Sequence, residues 1–504
     1  MLTGYVEKIL KARVYDVAQE TPLDIMPRLS KRLDNTILLK REDLQPVFSF
    51  KLRGAYNRMN QLSDEERKRG VVCASAGNHA QGVALSAHKM GISAIIVMPK
   101  TTPPIKVEAV RALGAVISLH GNSYDDAGAF ARDIAEREGR TFIHPYDDPE
   151  VIAGQGTIAM EIIRQHPDPL HAIFVPVGGG GLIAGIAAYV KAFWPEIKIV
   201  AVEPADAASL KAALDADERV KLEQVGLFAD GTAVKQVGEE PFRICRETVD
   251  EVVTVDSDEL CAAIMDIFED TRSIAEPSGA LAVAGVKKYL ADNPMHNQHM
   301  VVIDSGANIN FDRLRHVAER AEIGERREVL FATEIDERPG SFQEFCKMLG
   351  DRGITEFNYR YADDQQAQVF VGVRINGKDE ERQQLFELLD KGGYGWVDFT
   401  DNEMAKLHIR YMVGGHAPQV DNERLIRFEF PERPGALLRF LTRIGKRWNI
   451  SLFHYRNHGA AYGRVLVGIQ VPANYETEFQ TFLDTLGYSY WEETDNPAYP
   501  LFLK

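Results

Sequence analysis

One stretch of the sequence decides the fold: residues 172–190 read AIFVPVGGGGLIAGIAAYV. The first six residues, AIFVPV, are apolar and rich in β-branched side chains, which favours a buried strand. Four glycines follow at 178–181, and then an apolar run typical of a buried helix. Glycines in a row allow the backbone to adopt positive φ and to approach a ligand closely. Because free N–H groups at a helix start attract anions, this pattern predicts a strand–loop–helix unit that binds a phosphate.

The same alternation of strands and helices extends over residues 1–315. Short β-rich runs are separated by segments with helical apolar spacing, such as 80–90. Parallel strands that are buried on both faces read as continuous apolar runs joined by crossover helices. The pattern therefore predicts an α/β domain with parallel sheets. The predicted strands are VVCAS (71–75), SAIIVMP (93–99), AVISLHG (115–121), AIFVPV (172–177), KIVAVEP (198–204), EVVTV (251–255) and MVVIDS (300–305).

The last third of the chain contains an internal repeat. The tetrapeptide ERPG occurs at 337–340 and again at 432–435. Further matches at nearly the same offset are ITEFNYRY (354–361) with ISLFHYRN (450–457), and FVGVRI (370–375) with LVGIQV (466–471). A near-constant offset predicts two related modules. Each reads strand, Pro-Gly turn, helix, strand, strand, helix, which is the order of a ferredoxin-like α+β unit.

Composition limits the possible functions. The chain has 504 residues, of which 45% are hydrophobic, so it can form about three globular domains. Its 58 basic and 74 acidic residues give a net charge of −16, so we expect no binding to nucleic acid or to a membrane. The four cysteines, Cys73, Cys245, Cys261 and Cys346, are too scattered for a disulfide framework or a zinc site. Without the pattern of a signal peptide or a membrane span, the sequence predicts a cytoplasmic protein.

Two further motifs carry residues that are suited to chemistry. Lys51 lies in SFKLRGA (49–55) beside Phe50. It is either an ordinary surface lysine or a Schiff-base lysine whose pKa is lowered by desolvation. SAGNHAQG (75–82) follows the strand VVCAS and opens a helix. Its N–H groups and Asn78 could bind a ligand, although such residues are also common helix caps.

The glycine stretch also fits a different cofactor. Gly179, Gly181 and Ala184 match the spacing of a dinucleotide fingerprint, and Glu203 follows at a strand end. Considered alone, this motif favours a nicotinamide-dependent dehydrogenase. That alternative leaves Lys51 and the C-terminal repeat without a role, and the presence or absence of a visible absorption band distinguishes the two cofactors.

Together, these motifs resemble those of the fold-type II pyridoxal-phosphate enzymes, and SGAN (305–308) follows in the expected place. Their order is similar to that in serine/threonine dehydratases, which implies a catalytic domain of two parallel-sheet subdomains over residues 1–316. After a linker at 317–327, the repeat resembles the tandem ACT-like regulatory modules of biosynthetic threonine deaminases. We expect these modules at 328–413 and 424–504. The tandem pair separates the chain from serine racemases and degradative deaminases, which lack it.

The resemblance implies roles for individual residues. Lys51 would hold pyridoxal 5'-phosphate covalently, Phe50 would pack against its ring, and Ser305 would face the pyridine nitrogen. Asn78 would hydrogen-bond the ring hydroxyl. The phosphate would be bound by the backbone N–H groups of Gly178, Gly179, Gly180, Gly181 and Leu182. The carboxylate of the substrate would be received by Ser75, Ala76, Gly77, Asn78 and His79.

The resemblance also implies an activity and its control. The activity is the dehydration and deamination of L-threonine to 2-oxobutanoate and ammonia, and of L-serine to pyruvate, as the committed step toward isoleucine. Isoleucine would inhibit, valine would activate, and the assembly would be a homotetramer. Some relatives bind a cation near the position of Glu203 with an acidic residue six positions later; Ser209 stands there, so no metal site is predicted. A catalytically silent amino-acid sensor is the second alternative, and it leaves the cofactor motifs without a use.

Overall fold

The computed structural model describes residues 2–361, 366–431, 435–445, 447–456 and 462–504. The chain divides into two compact units, the first ending at Gly324 and the second beginning at Glu325. Each unit builds hydrophobic cores of its own. None of the helices in the described ranges combines the length and the apolar character needed to cross a membrane. The four cysteines are buried and unpaired.

The first unit alternates strands and helices along the chain. Its strands are β1 (Leu23–Ile25), β2 (Thr36–Arg41), β3 (Val71–Ala74), β4 (Ala94–Met98), β5 (Val116–Leu119), β6 (Thr141–Phe142), β7 (Ala172–Pro176), β8 (Lys198–Pro204), β9 (Glu251–Val255) and β10 (His299–Asp304). Its helices are α1 (Leu2–Lys11), α2 (Pro27–Leu33), α3 (Lys51–Asn60), α4 (Asp64–Arg69), α5 (Asn78–Met90), α6 (Pro104–Ala112), α7 (Tyr124–Glu138), α8 (Pro149–Gln165), α9 (Gly181–Phe193), α10 (Ser209–Ala216), α11 (Glu239–Thr248), α12 (Ser257–Thr271), α13 (Pro277–Asp292) and α14 (Arg313–Gly324).

These strands form two parallel sheets, which confirms the predicted fold class. The larger sheet has the order β1-β2-β10-β7-β8-β9, and its short edge strand β1 runs antiparallel to β2. The smaller sheet has the order β5-β4-β3-β6, with its neighbouring strands parallel. Strand β7 shows why the runs are continuously apolar: Ile173 and Val175 enter one hydrophobic cluster, and Ala172 and Phe174 enter another. Alternate side chains point to opposite faces, so both faces of this strand are buried.

The charged segment that follows the sheets forms α14. One face of this helix is buried, since Val317 and Ala321 belong to a core of the first unit. Arg320 forms an ion pair with Asp258 on α12. The helix is therefore less solvated than its charge content suggests, and the boundary between the units falls inside the segment 317–327 that was predicted as a linker.

The second unit contains the repeat. Its strands are β11 (Glu328–Asp336), β12 (Ile354–Arg360), β13 (Gln366–Arg374), β14 (Trp396–Asp398), β15 (Glu423–Pro431), β16 (Asn449–Arg456), β17 (Tyr462–Gln470) and β18 (Ser489–Glu492). Its helices are α15 (Ser341–Leu349), α16 (Asp379–Gly392), α17 (Glu403–Leu407), α18 (Ala436–Ile444), α19 (Glu476–Leu486) and α20 (Ala498–Phe502). Pro434, in the second copy of the Pro-Gly turn, lies outside the described residues.

The two modules form one antiparallel sheet of eight strands, in the order β14-β11-β13-β12-β16-β17-β15-β18. Each half has the strand order of a ferredoxin-like unit, and the second half runs in reverse, which confirms the predicted ferredoxin-like fold of the repeat. The halves join where β12 pairs with β16, and Asn358 pairs there with His454. These two residues are equivalent positions of the repeat. An antiparallel pairing centred on equivalent residues relates the modules by a local two-fold axis.

The modules also share a hydrophobic core. Phe357 and its repeat equivalent Phe453 pack edge to face, with ring centroids 5.6 Å apart. Phe342 of α15 contacts both rings, and Phe440 of α18 contacts Phe453. Because aromatic side chains from both modules interlock, the pair forms a single packing unit.

Candidate active site

The predicted motifs meet in the first unit, around the carboxyl-terminal ends of parallel strands. Lys51 is the first residue of α3, and Asn78 is the first residue of α5, after β3. The glycines at 178–181 join β7 to α9, and Ser305 follows β10. Loops at this end of parallel strands are where α/β proteins place their ligand sites.

A chain of contacts connects the motifs. The backbone N–H of Phe50 donates to the carbonyl oxygen of Ser305 over 3.3 Å. Ser305 Oγ donates to the carbonyl of Ser278 over 3.3 Å, and Ser278 Oγ lies 3.2 Å from Oγ1 of Thr232. A Cβ on Gly178 would lie 2.8 Å from the Cα of Thr232. The segments that carry the lysine, the serine and the first glycine are therefore neighbours.

The side chain of Lys51 lies beside these segments. Its Nζ donates to the carbonyl oxygen of Pro145 over 3.0 Å and lies 5.2 Å from the ring centroid of Phe50. Part of the residue remains accessible, but the amine is surrounded by protein atoms. This desolvation lowers the pKa of Lys51 to about 8, and the nearby carboxyl group of Glu276 limits the decrease. A lysine of this kind exchanges protons and reacts as a nucleophile near neutral pH.

The glycine loop requires its glycines. Gly180 has φ +90°, in the left-handed region that favours glycine. The side chain of Tyr146 lies where a Cβ on Gly179 would be, and the carbonyl oxygen of Tyr146 would lie 2.9 Å from a Cβ on Gly181. Among the described residues, no side chain caps the N-terminus of α9. Its N–H groups are thus left for an anion such as a phosphate.

Asn78 belongs to a partly buried network of hydrogen bonds. Its Nδ2 donates to Oε1 of Glu276 over 2.6 Å, and its Oδ1 accepts from Nδ2 of Asn308 over 2.7 Å. Glu276 is 4% exposed, and burial raises the pKa of its carboxyl group to about 7. A lysine with a lowered pKa and a carboxyl with a raised pKa therefore lie in one site.

The loop at 75–79 borders the same space. Ser75 Oγ accepts a hydrogen bond from the N–H of Gly77, and a Cβ on Gly77 would meet open space. His79 lies deeper: its Nε2 is 2.9 Å from the carbonyl oxygen of Ile143. Burial and the charge of Lys51 lower the pKa of His79 to about 3, so the ring is neutral. The loop thus offers backbone and hydroxyl groups to a ligand, while His79 is directed into the protein interior. Ala76 is partly exposed beside Gly77.

Several residues of the site have no assigned role in the sequence motifs. Glu276 and Asn308 lie in turns that read as ordinary helix caps or loop residues. Tyr146, Thr232 and Ser278 come from three other segments, and only folding brings them to the glycine loop and to Ser305. The sequence gives only a weak signal that these two residues belong to a site. Small residues surround Glu276 in EPSGA (276–280) and Asn308 in SGAN (305–308), and SGAN follows a predicted strand.

Glu203 has a structural environment that does not suit a dinucleotide. Its side chain is fully buried, and its two oxygens accept hydrogen bonds from the backbone N–H groups of Leu210 and Lys211, each over 2.8 Å. A carboxylate held in this way at the start of α10 is not available for a ribose hydroxyl. Ser209, at the position where some relatives carry an acidic residue, is also buried.

A cavity lies in the repeat of the second unit. Its volume is about 440 Å³, which is in the range of small-molecule sites. The lining combines Pro339 of the first module with residues of the second, including Arg447, Trp448, Asn449 and Tyr475. Gly340, which follows Pro339, has φ +91° and precedes α15. The cavity is therefore formed by both modules, beside the first Pro-Gly turn.

Two family models match the chain. One, described as pyridoxal-phosphate dependent enzyme, matches residues 14–306. The other, described as the C-terminal regulatory domain of threonine dehydratase, matches residues 319–409 and 414–503.

Similar proteins cover nearly the whole chain. The biosynthetic L-threonine dehydratase of Burkholderia multivorans is 59% identical over 502 residues, which are 99% of each chain. That of Escherichia coli is 55% identical over 499 residues, which are 99% of this chain and 97% of the relative. Among solved structures, the processed form of threonine deaminase isoform 2 from Solanum lycopersicum superposes with a TM-score of 0.62 at 51% identity. It covers 64% of this chain and 93% of the tomato chain.

Proposed function

Since this chain belongs to the pyridoxal-phosphate-dependent threonine dehydratases, we propose that it converts L-threonine to 2-oxobutanoate and ammonia. L-Serine, which lacks only the β-methyl group, gives pyruvate by the same reaction. In metabolism this reaction is the committed step toward isoleucine. The observation that carries the proposal is the desolvated amine of Lys51, which shares one site with an uncapped, glycine-lined helix N-terminus.

The residues of the site fit pyridoxal 5'-phosphate. Gly178, Gly179, Gly180, Gly181 and Leu182 would hold its phosphate through backbone N–H groups at the uncapped N-terminus of α9. The four glycines are required there, since side chains at these positions would collide with Thr232, Tyr146 and Pro241. Lys51 would hold its aldehyde carbon covalently, and Phe50, which is buried beside Lys51, would pack against its ring. Ser305 offers a neutral hydroxyl to the ring nitrogen, and Asn78 offers its amide to the ring hydroxyl.

Lys51 is the base of the reaction. When bound, the cofactor supplies an electron sink for the electron pair that is released at Cα of the substrate. With a pKa of about 8, the Nζ of Lys51 can be neutral near physiological pH and takes the Cα proton. The carboxylate of the substrate binds at the 75–79 loop, where Gly77 leaves open space and the N-terminus of α5 is positive. The β-hydroxyl leaves with a proton as water, and the resulting imino acid takes up one water to give the 2-oxo acid and ammonia.

The second unit regulates this activity. We propose that isoleucine inhibits the enzyme and that valine activates it, each by binding to the tandem modules. The cavity beside Pro339 supports this proposal, because it combines an apolar surface at Trp448 with the opposite charges of Arg447 and Asp421. Such a lining suits the apolar side chain, the carboxylate and the ammonium group of an amino acid. A coupling free energy of about 1–3 kcal/mol is sufficient for feedback control.

The assembly and compartment are part of the same proposal. We propose a homotetramer in the cytoplasm. Phe311 and Leu227 support self-association, because their side chains are 82% and 71% exposed and their segments are joined by the hydrogen bond from Arg313 to the carbonyl of Leu227. Contiguous exposed apolar patches often mark subunit contacts. The four unpaired cysteines are in keeping with a reducing compartment.

The deciding experiment is the formation of 2-oxobutanoate from L-threonine by the purified holoenzyme, with and without isoleucine. We expect turnover that isoleucine suppresses and valine restores. Turnover without suppression would contradict the regulatory proposal only. A protein that binds pyridoxal phosphate and does not turn over threonine would contradict the proposed substrate.

A further inference from the structure

Glu276 is turned into the site, although its position in the chain is that of a helix cap. It is the N-cap residue of α13, yet its side chain makes no capping hydrogen bond to that helix in the part of the chain that the structure describes. Instead, its carboxylate accepts hydrogen bonds from Nδ2 of Asn78 and from the backbone N–H of Asn308. A buried carboxyl group needs hydrogen-bond partners. Because Glu276 does not cap its own helix, it obtains these partners from the network around Asn78.

This network gives the amide of Asn78 one orientation. An ionised carboxylate only accepts hydrogen bonds, so the nitrogen of Asn78 must face Glu276. The oxygen of Asn78 then faces Asn308, whose Nδ2 is itself held by the carbonyl oxygen of Val47 over 2.8 Å. Because Asn308 presents donors on both sides, neither amide can turn by itself. One N–H of Asn78 remains for a ligand.

We propose that Glu276 is a positioning residue that sets which end of the Asn78 amide faces the cofactor, and that protonation of Glu276 releases this orientation. The inference rests on the proposed function, in which Asn78 meets the ring hydroxyl. As a carboxylate, Glu276 leaves Asn78 an N–H to donate, which suits an ionised ring oxygen. As a neutral acid that has taken a proton from solvent, Glu276 can donate to the oxygen of Asn78. This turn of Asn78 requires Asn308 to turn with it and to give up its hydrogen bond to the carbonyl oxygen of Val47. That arrangement suits a ring hydroxyl that keeps its proton.

The charges around Glu276 come from several elements and place its titration near neutrality. Burial raises the pKa of Glu276 to about 7, and the charge of Asp230 contributes to the increase. Lys106 of α6, which pairs with Asp230 over 2.7 Å, opposes it. Lys51 of α3 and the buried Asp304 of β10 also face the carboxyl group of Glu276. The negative charge of Glu276 stabilises the ammonium form of Lys51. The same charge adds to the effect of burial in raising the pKa of Asp304.

The test is the visible absorption spectrum of the holoenzyme as a function of pH, which reports the protonation of the ring oxygen. The two protonation states of the ring oxygen give two absorption bands. In the natural protein, we expect the ratio of these two bands to change with pH, with an apparent pKa close to that of Glu276. Glu276→Gln should remove this transition or move it by more than about one pH unit. Glu203→Gln is the matched control, because burial also raises the pKa of Glu203 to about 7. This control should keep the transition.

A second variant separates contact from charge. Glu276→Asp keeps the negative charge, but it is one methylene shorter and draws the carboxylate away from the 2.6 Å bond to Asn78. We expect this variant to lose the transition as well, and it carries the test if Glu276→Gln does not fold. A transition unchanged in either variant would overturn the inference and leave the proposed function intact. A natural protein without any cofactor band would overturn the proposed function itself.

Discussion

Two buried ionisable groups meet in the candidate site with pKa values that are moved toward neutrality from opposite sides. Burial lowers the pKa of Lys51 to about 8 and raises that of Glu276 to about 7. Proton transfer is efficient when the pKa of the acid or base lies near the working pH. At the residue scale, the same desolvation that makes these groups costly to bury also prepares them for proton chemistry.

The first prediction concerns Lys51 itself. Lys51→Ala removes both the amine that binds the cofactor and the base, so we expect at least a thousandfold loss of threonine turnover, on the order of the effect of a general base. The covalent cofactor band should also disappear. Both are measured by 2-oxobutanoate formation and by absorption spectroscopy. Lys89→Ala, at an exposed position of α5, is the control and should behave as the natural protein. Full turnover by Lys51→Ala would disprove the assignment.

The pKa of Lys51 sets the pH dependence of the rate. Below a pKa of about 8 the amine carries a proton and cannot accept another, so kcat should rise as the pH increases through this value. The measurement is kcat at saturating L-threonine across neutral and alkaline pH. A kcat that falls as the pH rises over this range would show that the reaction depends on a protonated group. That result would contradict the role of Lys51 as the base.

At the scale of elements, continuous apolar runs predicted the strands well. EVVTV and KIVAVEP match the bounds of β9 and β8, because strands that are buried on both faces must be apolar throughout. The motifs also identified Lys51, Asn78 and the glycine loop as candidates. The order of strands in the sheets, by contrast, depends on long-range pairing that leaves no local pattern.

The supporting residues of the site were not predictable for the same reason. Glu276 reads as a helix cap, and its carboxylate faces Asn78 only because α13 and α5 meet in the folded unit. Tyr146 is an unremarked aromatic residue in a loop before α8, and its contact with Gly179 depends on where β7 ends. Sequence patterns report local conformation, whereas these contacts join segments more than 30 residues apart.

The loop between β7 and α9 offers a test at the scale of elements. In Gly178→Ala, the new Cβ would lie 2.8 Å from the backbone of Thr232, so the loop must shift from the position in which its N–H groups are held. We expect cofactor affinity to fall by about tenfold or more, which corresponds to about 1.4 kcal/mol. Titration of the apoenzyme with pyridoxal phosphate measures this change. Gly4→Ala, at a helix position where a Cβ meets nothing within 4 Å, should leave the affinity unchanged.

At the scale of the whole molecule, catalysis and regulation occupy separate units. The site is built from residues of the first unit, which ends at Gly324, and its cores are complete within that unit. The modules of the second unit have a core of their own. Independent cores allow each unit to fold without the other.

Deletion of residues 328–504 tests this separation. Because α14 and its buried face are retained, we expect the shortened chain to keep measurable threonine turnover and to lose the response to isoleucine. Dose–response curves for isoleucine on both proteins provide the measurement. Inhibition that persists in the shortened chain would place the effector site in the first unit.

The pairing of Asn358 with His454 has a consequence for the history of the chain. A lone module would expose the backbone of its outer strand, and the neighbour that covers it here is its own duplicate. A single module without its duplicate would need a second chain to cover this strand, and the free energy of that association would depend on the protein concentration. Fusion makes the partner permanently present. It also frees the copies to diverge, so the two modules need not recognise the same amino acid.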